Sequence, residues 1–386
     1  MRLIFGFLII SIVLFSKLKA VTIFSDNENK IDLIGNLNLA YFNNLKSEHT
    51  ASFVENNNYY SYIGLAVENK TTTFLTTSSV IDIKINNQLY YPEKEDQTSY
   101  KALEINNLYV EFKSYNTSKT KLGIFDSLVS KQTVEATNKA SIYWLDAGYS
   151  FMNQDSLFGD KSGEDFSTNK IAGIGHHDVV SNFSMNLELS GPKNTLTARD
   201  QVEDNLISRD YAVLTSLAYQ GDVVGLSVGY TRVQNTIEDN KYFSSSMVNA
   251  DSFLSSFSLS GDNIYFALAG GYYKNQKLAG ITHTGASAYL SYKLTKLVPY
   301  VGYQFLYADN INSSTTSLGD PYNLKDRKNY SFEQSVLVIG LSFEVHKGLL
   351  LGIEHDNDIR SNSQVDSSLL NPVKQDITSI YIKYLV

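Results

Sequence analysis

From residue 21 to its end the chain repeats one unit: an alternating run, a long polar connection, a second alternating run, a short turn. Sixteen such runs can be placed. Long connections fall at about 43–58, 91–104, 127–166, 191–208, 234–251, 274–283, 308–332 and 357–376. Short ones fall at about 68–72, 114–120, 176–181, 220–223, 260–263, 294–297 and 346–349. Every long connection follows an odd-numbered run, so long loops share one rim and tight turns the other. A sheet closed on itself across an outer membrane has this parity, with short periplasmic turns, long outer loops and both termini on the periplasmic side. The expected fold is all-β, a 16-stranded antiparallel transmembrane β-barrel forming one domain over residues 21–386.

The two faces of each run differ in kind. In a strand, successive side chains point to opposite faces. Leu33, Gly35, Leu37, Leu39 and Tyr41 share one face against Asp32, Asn36 and Asn38 on the other. Val224, Leu226, Val228 and Tyr230 interleave with Gly225, Ser227, Gly229 and Thr231. Ile380, Ile382, Tyr384 and Val386 stand opposite Ser379, Tyr381 and Lys383. A water-soluble barrel turns its apolar face inward, whereas a membrane barrel with a wet interior turns it towards lipid. Charged residues on the polar face favour the second arrangement.

Composition narrows the classes further. Residues 1–20 read as a secretory signal peptide: Arg2, a short apolar run from Leu3 to Phe15, then Leu18-Lys19-Ala20 as a cleavage site. The apolar run falls short of the roughly 20 residues a helical span needs. The chain has no cysteine, so neither a disulfide framework nor a thiolate metal site is expected. Without Arg2, Lys17 and Lys19, 32 − 3 = 29 basic residues face 40 acidic ones, a net charge of −11. No basic patch is dense enough for nucleic acid. The 27 tyrosines and 20 phenylalanines against 5 prolines suit strands and the aromatic girdles of membrane barrels.

The segments Val21-Thr22-Ile23-Phe24 and Asn29-Lys30-Ile31-Asp32-Leu33-Ile34-Gly35 resemble the opening of the Gram-negative general porins, the enterobacterial-type trimers. Thr168-Asn169-Lys170-Ile171-Ala172-Gly173 and Gly340-Leu341-Ser342-Phe343-Glu344-Val345 are similar to later strands of that family. The resemblance covers the whole segment after residue 20. It implies a homotrimer; the loop parity places the chain in the cell outer membrane, where charged loops at the outer rim are expected to meet water or lipopolysaccharide. The resemblance also implies a third loop folded into the barrel, with acidic residues facing a ladder of arginines. Loop 127–166 stands at that place, and Phe158-Gly159-Asp160 resembles the family's loop tip, with Leu157 where its glutamate would fall. The wall departs from the family. Tyr62, in Tyr60-Ser61-Tyr62-Ile63-Gly64-Leu65, occupies an arginine position; Leu122-Gly123-Ile124-Phe125 replaces another; Lys170 alone keeps a cation. The chain ends in Tyr384-Leu385-Val386 where the family usually ends in phenylalanine.

The expected constriction therefore comprises Tyr60, Tyr62, Lys170 and the loop carboxylates Asp155, Asp160, Glu164 and Asp165. The expected function is passive diffusion of small hydrophilic solutes and ions through a water-filled channel, with cation preference or a bias to neutral polyhydroxylated solutes. A sugar-selective channel lined by aromatic rings and a surface adhesin or receptor barrel are the alternatives. No catalytic residue, cofactor or metal is expected. His176-His177 cannot chelate one ion, because adjacent strand residues face apart. His283, His346 and His355 lack a nucleophile signature, and His355 with Asp356 and Asp358 only faintly allows a rim protease. The acidic groups Asp200, Glu203, Asp204 and Asp309, Asp320, Asp326 show no calcium-loop spacing.

Overall fold

A computed structural model describes residues 21–44, 52–54, 61–85, 103–115, 117–134, 136, 170–192, 197–200, 203–239, 244–274, 281–310, 331–346, 349–363 and 376–385. Among them the strands are β1 (Val21–Ser25), β2 (Asn29–Asn44), β3 (Ser52–Val54), β4 (Ser61–Lys70), β5 (Leu75–Ile85) and β6 (Leu103–Ser114). β7 (Ser118–Asp126) leads into the helix α1 (Leu128–Val134). The chain continues through β8 (Lys170–Val180), β9 (Phe183–Ser190), β10 (Thr197–Asp200), β11 (Glu203–Gln220), β12 (Val224–Asp239) and β13 (Ser244–Ser260). Last come β14 (Ile264–Lys274), β15 (Ile281–Tyr292), β16 (Leu297–Asn310), β17 (Ser331–His346), β18 (Leu349–Ser363) and β19 (Asp376–Leu385).

All nineteen described strands join one antiparallel sheet. Three are short and lie along longer neighbours: β1 and β3 pair with β2, and β10 with β11. The other 19 − 3 = 16 pair in chain order, β2 with β4 and β9 with β11 bridging the short ones. β19 then pairs with β2, from Ile377↔Asn44 to Leu385↔Asn36. No described helix is long and apolar enough to cross a membrane, which says nothing of strands.

Short gaps separate β4 from β5, β6 from β7, β8 from β9, β11 from β12, β13 from β14, β15 from β16 and β17 from β18, in the expected parity. Tyr115, Ser181 and Thr295 take positive φ at three of these turns, conformations that cost side chains other than glycine some strain. Asp26, in the exposed turn between β1 and β2, accepts the backbone N–H groups of Asn29 and Glu28 at 2.6 and 2.8 Å. These bonds hold its carboxyl below the usual aspartate range.

Three expectations move, one of them the connection placed at 191–208, where β10 pairs with β11 from Thr197↔Leu206 to Asp200↔Glu203. The turn placed at 176–181 lies at 181–182, because β8 runs on through His176 and His177 to Val180. The connection placed at 234–251 is largely a hairpin: β12 and β13 stay paired out to Asp239↔Ser244. A single extra residue also interrupts β6 against β5, since Asp82 pairs with Asn107 and Ile83 with Ile105.

The burial pattern inverts that of a soluble protein. On β9, Leu187 and Leu189 are 46% and 45% exposed, while Asn186 and Glu188 between and beside them are 0% exposed. The same holds along β4 (Ile63, Leu65, Val67 exposed), β12 (Leu226, Val228 exposed; Ser227, Thr231 buried) and β18 (Ile353 exposed; Glu354, Asp356 buried). Aromatic pairs mark the short-turn rim: Phe74 stacks on Tyr115 at 5.8 Å and Phe183 lies 5.1 Å from Tyr219.

Strand packing leaves no room at Gly123 on β7. Its φ is +130° and an added Cβ would collide with the Leu108 carbonyl on β6. Gly123→Ala should lower the stability of the folded protein by about 1–3 kcal/mol. Gly191→Ala, whose nearest neighbour would be the Ala172 carbonyl at 3.7 Å, should be tolerated. Urea unfolding midpoints of the two variants check this ordering.

Candidate functional site

The buried face of the sheet is where polar chemistry collects, and its organiser is the segment after β7. Ser127 and α1 turn onto this face and pack on β9, β11, β12 and β13. The helix is too short for its own stability, so its existence depends on what it meets. Val129 and Thr133, one turn apart, are both 1% exposed and sit in the contact. Val129 joins an apolar patch of Phe125, Ile171, Ala212, Leu214, Val233 and Ala250. Gly229 on β12 lets the helix approach, because a Cβ there would meet the Thr133 methyl at 2.8 Å and the Val129 side chain at 3.4 Å.

Helix ends leave backbone groups without intrahelical partners, and here the wall supplies them. Glu188 Oε1 accepts the Leu128 N–H at 2.6 Å, and Glu188 Oε2 accepts the Ser127 hydroxyl at 2.5 Å. The Gln132 carbonyl accepts the hydroxyls of Ser227 and Ser256 at 2.8 and 3.3 Å. The Ala136 carbonyl accepts the Tyr265 hydroxyl at 2.7 Å. The Gln132 side chain adds three more bonds. Its Nε2 donates to Ser184 at 2.8 Å, and its Oε1 accepts from Asn186 at 2.6 Å and Ser216 at 3.1 Å. At about 1 kcal/mol net per bond, and more for the bonds to Glu188, this set pins the segment to one arc of the wall.

The residues expected at a constriction are only partly in view. Tyr62 lies on the inner face of β4 with Gly64, opposite to exposed Ile63 and Leu65. Lys170 opens β8, directly across from Asp126 on β7. Tyr60, Asp155, Asp160, Glu164 and Asp165 lie outside the described residues. Sequence reasoning missed a second wall cation, Lys121, which shares the inner face with Phe125. Its ammonium lies 3.8 Å from Glu111 and 4.5 Å from the Tyr109 ring centroid. It missed Asp82 as well, which is buried and accepts the amides of Asn106 and Asn107 at 2.6 and 2.8 Å. The extra residue in β6 brings both asparagines to one carboxylate. Glu188 was legible as a charged residue on a small polar face, but its partners depend on register and on a helix with too few residues to show a period.

Parity sets the described histidines apart. His177 meets Asn186 Oδ1 at 2.5 Å, whereas His176 meets Thr120 and Asp178 at 2.9 and 3.0 Å. His355 bonds to Thr378 at 3.1 Å, while its neighbour Asp356 faces the other side of β18, so the two form no catalytic pair. Among the described residues no group of three or more His, Cys, Asp or Glu could hold a metal ion. Midway along β12 and β13, Arg232 pairs with Asp251 at 3.1 Å, and Tyr230 donates to the same carboxylate at 2.6 Å.

No family profile matches the sequence, and no curated protein matches it. Solved structures do match in fold. OmpF of Salmonella typhi, in complex with daunomycin, aligns with a TM-score of 0.67 at 12% identity over 94% of this chain and 99% of that one. The outer membrane channel DcaP of Acinetobacter baumannii aligns with a TM-score of 0.64 at 9% identity, over 95% and 100%. An anion-selective porin from Comamonas acidovorans aligns with a TM-score of 0.57 at 12% identity, over 92% and 98%. The chain therefore has the fold of outer-membrane porins.

The absence of cysteine makes the docking of α1 directly readable. Thr133→Cys should resist a membrane-impermeant maleimide in the folded protein and react once it is unfolded. Adding Gly229→Val, which fills the helix seat, should make the same thiol reactive without unfolding the sheet. Labelling at equal rates in both backgrounds would contradict the packing described.

Proposed function

We propose that the chain is an outer-membrane channel through which small hydrophilic solutes and ions diffuse passively. Its sheet is a closed barrel of sixteen membrane-crossing strands, and segment 127–166 folds into the lumen to limit the passage. The observation that carries this reading is the joint pattern of the two faces: leucines, valines and isoleucines outward, serines, asparagines and carboxylates inward, with α1 seated on the inner side. An exposed apolar band this broad is unstable against water and suits a bilayer. The β19–β2 ladder supports closure, since a closed sheet leaves no strand edge unpaired in hydrocarbon. A sixteen-strand barrel is wide enough to hold an aqueous path. Aromatic side chains at the short-turn rim suit the headgroup level.

The described wall supports cation preference over anion preference. Lys121 is countered by Glu111 and also lies within electrostatic reach of Glu188, while Asp82 and Glu354 accept from the neutral donors Asn106, Asn107 and Tyr300. Tyr60, Tyr62, Lys170, Asp155, Asp160, Glu164 and Asp165 remain the proposed constriction set. Assembly as a homotrimer rests on the resemblance to general porins, and contact with lipopolysaccharide on the charged residues of the long connections. For the sugar-channel alternative, the inner tyrosines Tyr289, Tyr300 and Tyr381 are buried and offer no free ring face to a passing solute, which leaves the half-buried Tyr62 as a described candidate.

Planar-bilayer recording on the detergent-folded protein tests the proposal. Ohmic openings with a reversal potential towards the cation value in a salt gradient are expected, and removal of residues 140–160 should raise the conductance. A folded barrel that leaves the bilayer silent would reject the channel reading.

A further inference from the structure

Two carboxylic acids stand two residues apart on the inner face of β18. Glu354 is 1% exposed and Asp356 is 0% exposed, so the pair is closed to solvent. Their surroundings are built by glycines. Tyr300 of β16 crosses over Gly340 of β17, where any Cβ would collide with its ring, and donates its hydroxyl to Glu354 Oε2 at 2.6 Å. Tyr381 of β19 lies over Gly352 in the same manner, its hydroxyl 3.3 Å from that of Tyr300. Glu354 thus has a donor suited to an ionised carboxylate.

Asp356 has none. Neither of its carboxyl oxygens has a hydrogen-bond partner. Its cross-strand neighbours are Val338 and Ile377, which offer no side-chain donor. The Ser379 hydroxyl is buried and unpartnered too, but it stands opposite Glu354. The carboxyl that meets Asp356 is that of Glu354. The described groups facing the pair are Tyr289 and Tyr300 from β15 and β16, Val338 from β17, and Ser379 and Tyr381 from β19; none is a cation. An ionised carboxylate without donors, pressed against a second anion where water cannot reach, is far costlier than its protonated form. Two carboxyl groups that share one site cannot both ionise readily.

We propose that Glu354 and Asp356 hold one proton between them at neutral pH, with Asp356 as the O–H donor and the Glu354 carboxylate as acceptor. Its oxygens then accept from Tyr300 on one side and from Asp356 on the other. The pair contributes one negative charge to the wall instead of two, and its hydrogen bond stiffens β18 beside the β19–β2 ladder. This does not depend on conduction, since it concerns the resting protonation of the folded sheet.

Infrared spectroscopy of the folded, detergent-solubilised protein at neutral pH tests it. The wild type should show the carbonyl stretch of a protonated carboxylic acid, and that band should shift on labelling with 13C-aspartate. In D356N the band should be lost while the fold is kept, because an amide donates to Glu354 as the protonated acid does. A wild-type spectrum without the band, or a band that ignores aspartate labelling, would overturn the proposal. So would a band that persists in folded D356N. The labelling experiment needs no variant, so it decides the matter even if D356N does not fold.

Discussion

In the proposed membrane setting the structure depends on one requirement: every backbone amide placed in an apolar medium must find a partner within the chain. A strand meets it only through its neighbours, so each long strand here is bonded on both sides, and β19 is bonded to β2. Once the backbone is paired in this way, side chains alone decide which face meets which medium. The alternation along β9, where Leu187 and Leu189 are exposed and Asn186, Glu188 and Ser190 are buried, is that decision made residue by residue. A soluble sheet of the same topology would need the opposite parity.

The inner face then has its own problem, because a polar wall must be filled or wetted without leaving buried groups unpaired. One arc solves it with α1. Glu188, Gln132 and a row of serines satisfy helix and wall at once, and Gly229 gives the helix room. The opposite arc solves it with tyrosines that reach across glycines to Glu354. In both arcs a buried glutamate is the acceptor around which neutral donors gather.

Much of this was legible in the sequence because parity is a property of the whole chain, and no single strand has to be read correctly. The seven short turns fell where composition placed them to within a few residues. The outer ends were harder. Beyond the apolar band the face that carries Leu226 and Val228 turns polar, at Gln234, Thr236 and Ser245, so the apolar alternation fades while the ladder continues to Asp239↔Ser244. Composition alone cannot distinguish that hairpin from a loop. The site was less legible still. Tyr62 was placed at the constriction by the resemblance, which sets it at an arginine position, but Lys121, Asp82 and Glu188 gain their partners from register, a β6 irregularity and a seven-residue helix. None of these leaves a periodic trace.

The central claim is the orientation of the two faces, and a scan along β12 in lipid bilayers tests it most directly. Spin labels would be placed singly on cysteines introduced from residue 224 to residue 233, in a chain that has none of its own. The account predicts that accessibility to apolar oxygen peaks at 226 and 228 and falls at 225, 227 and 229, with period two. A flat profile, or one with its peaks on 225, 227 and 229, would contradict it.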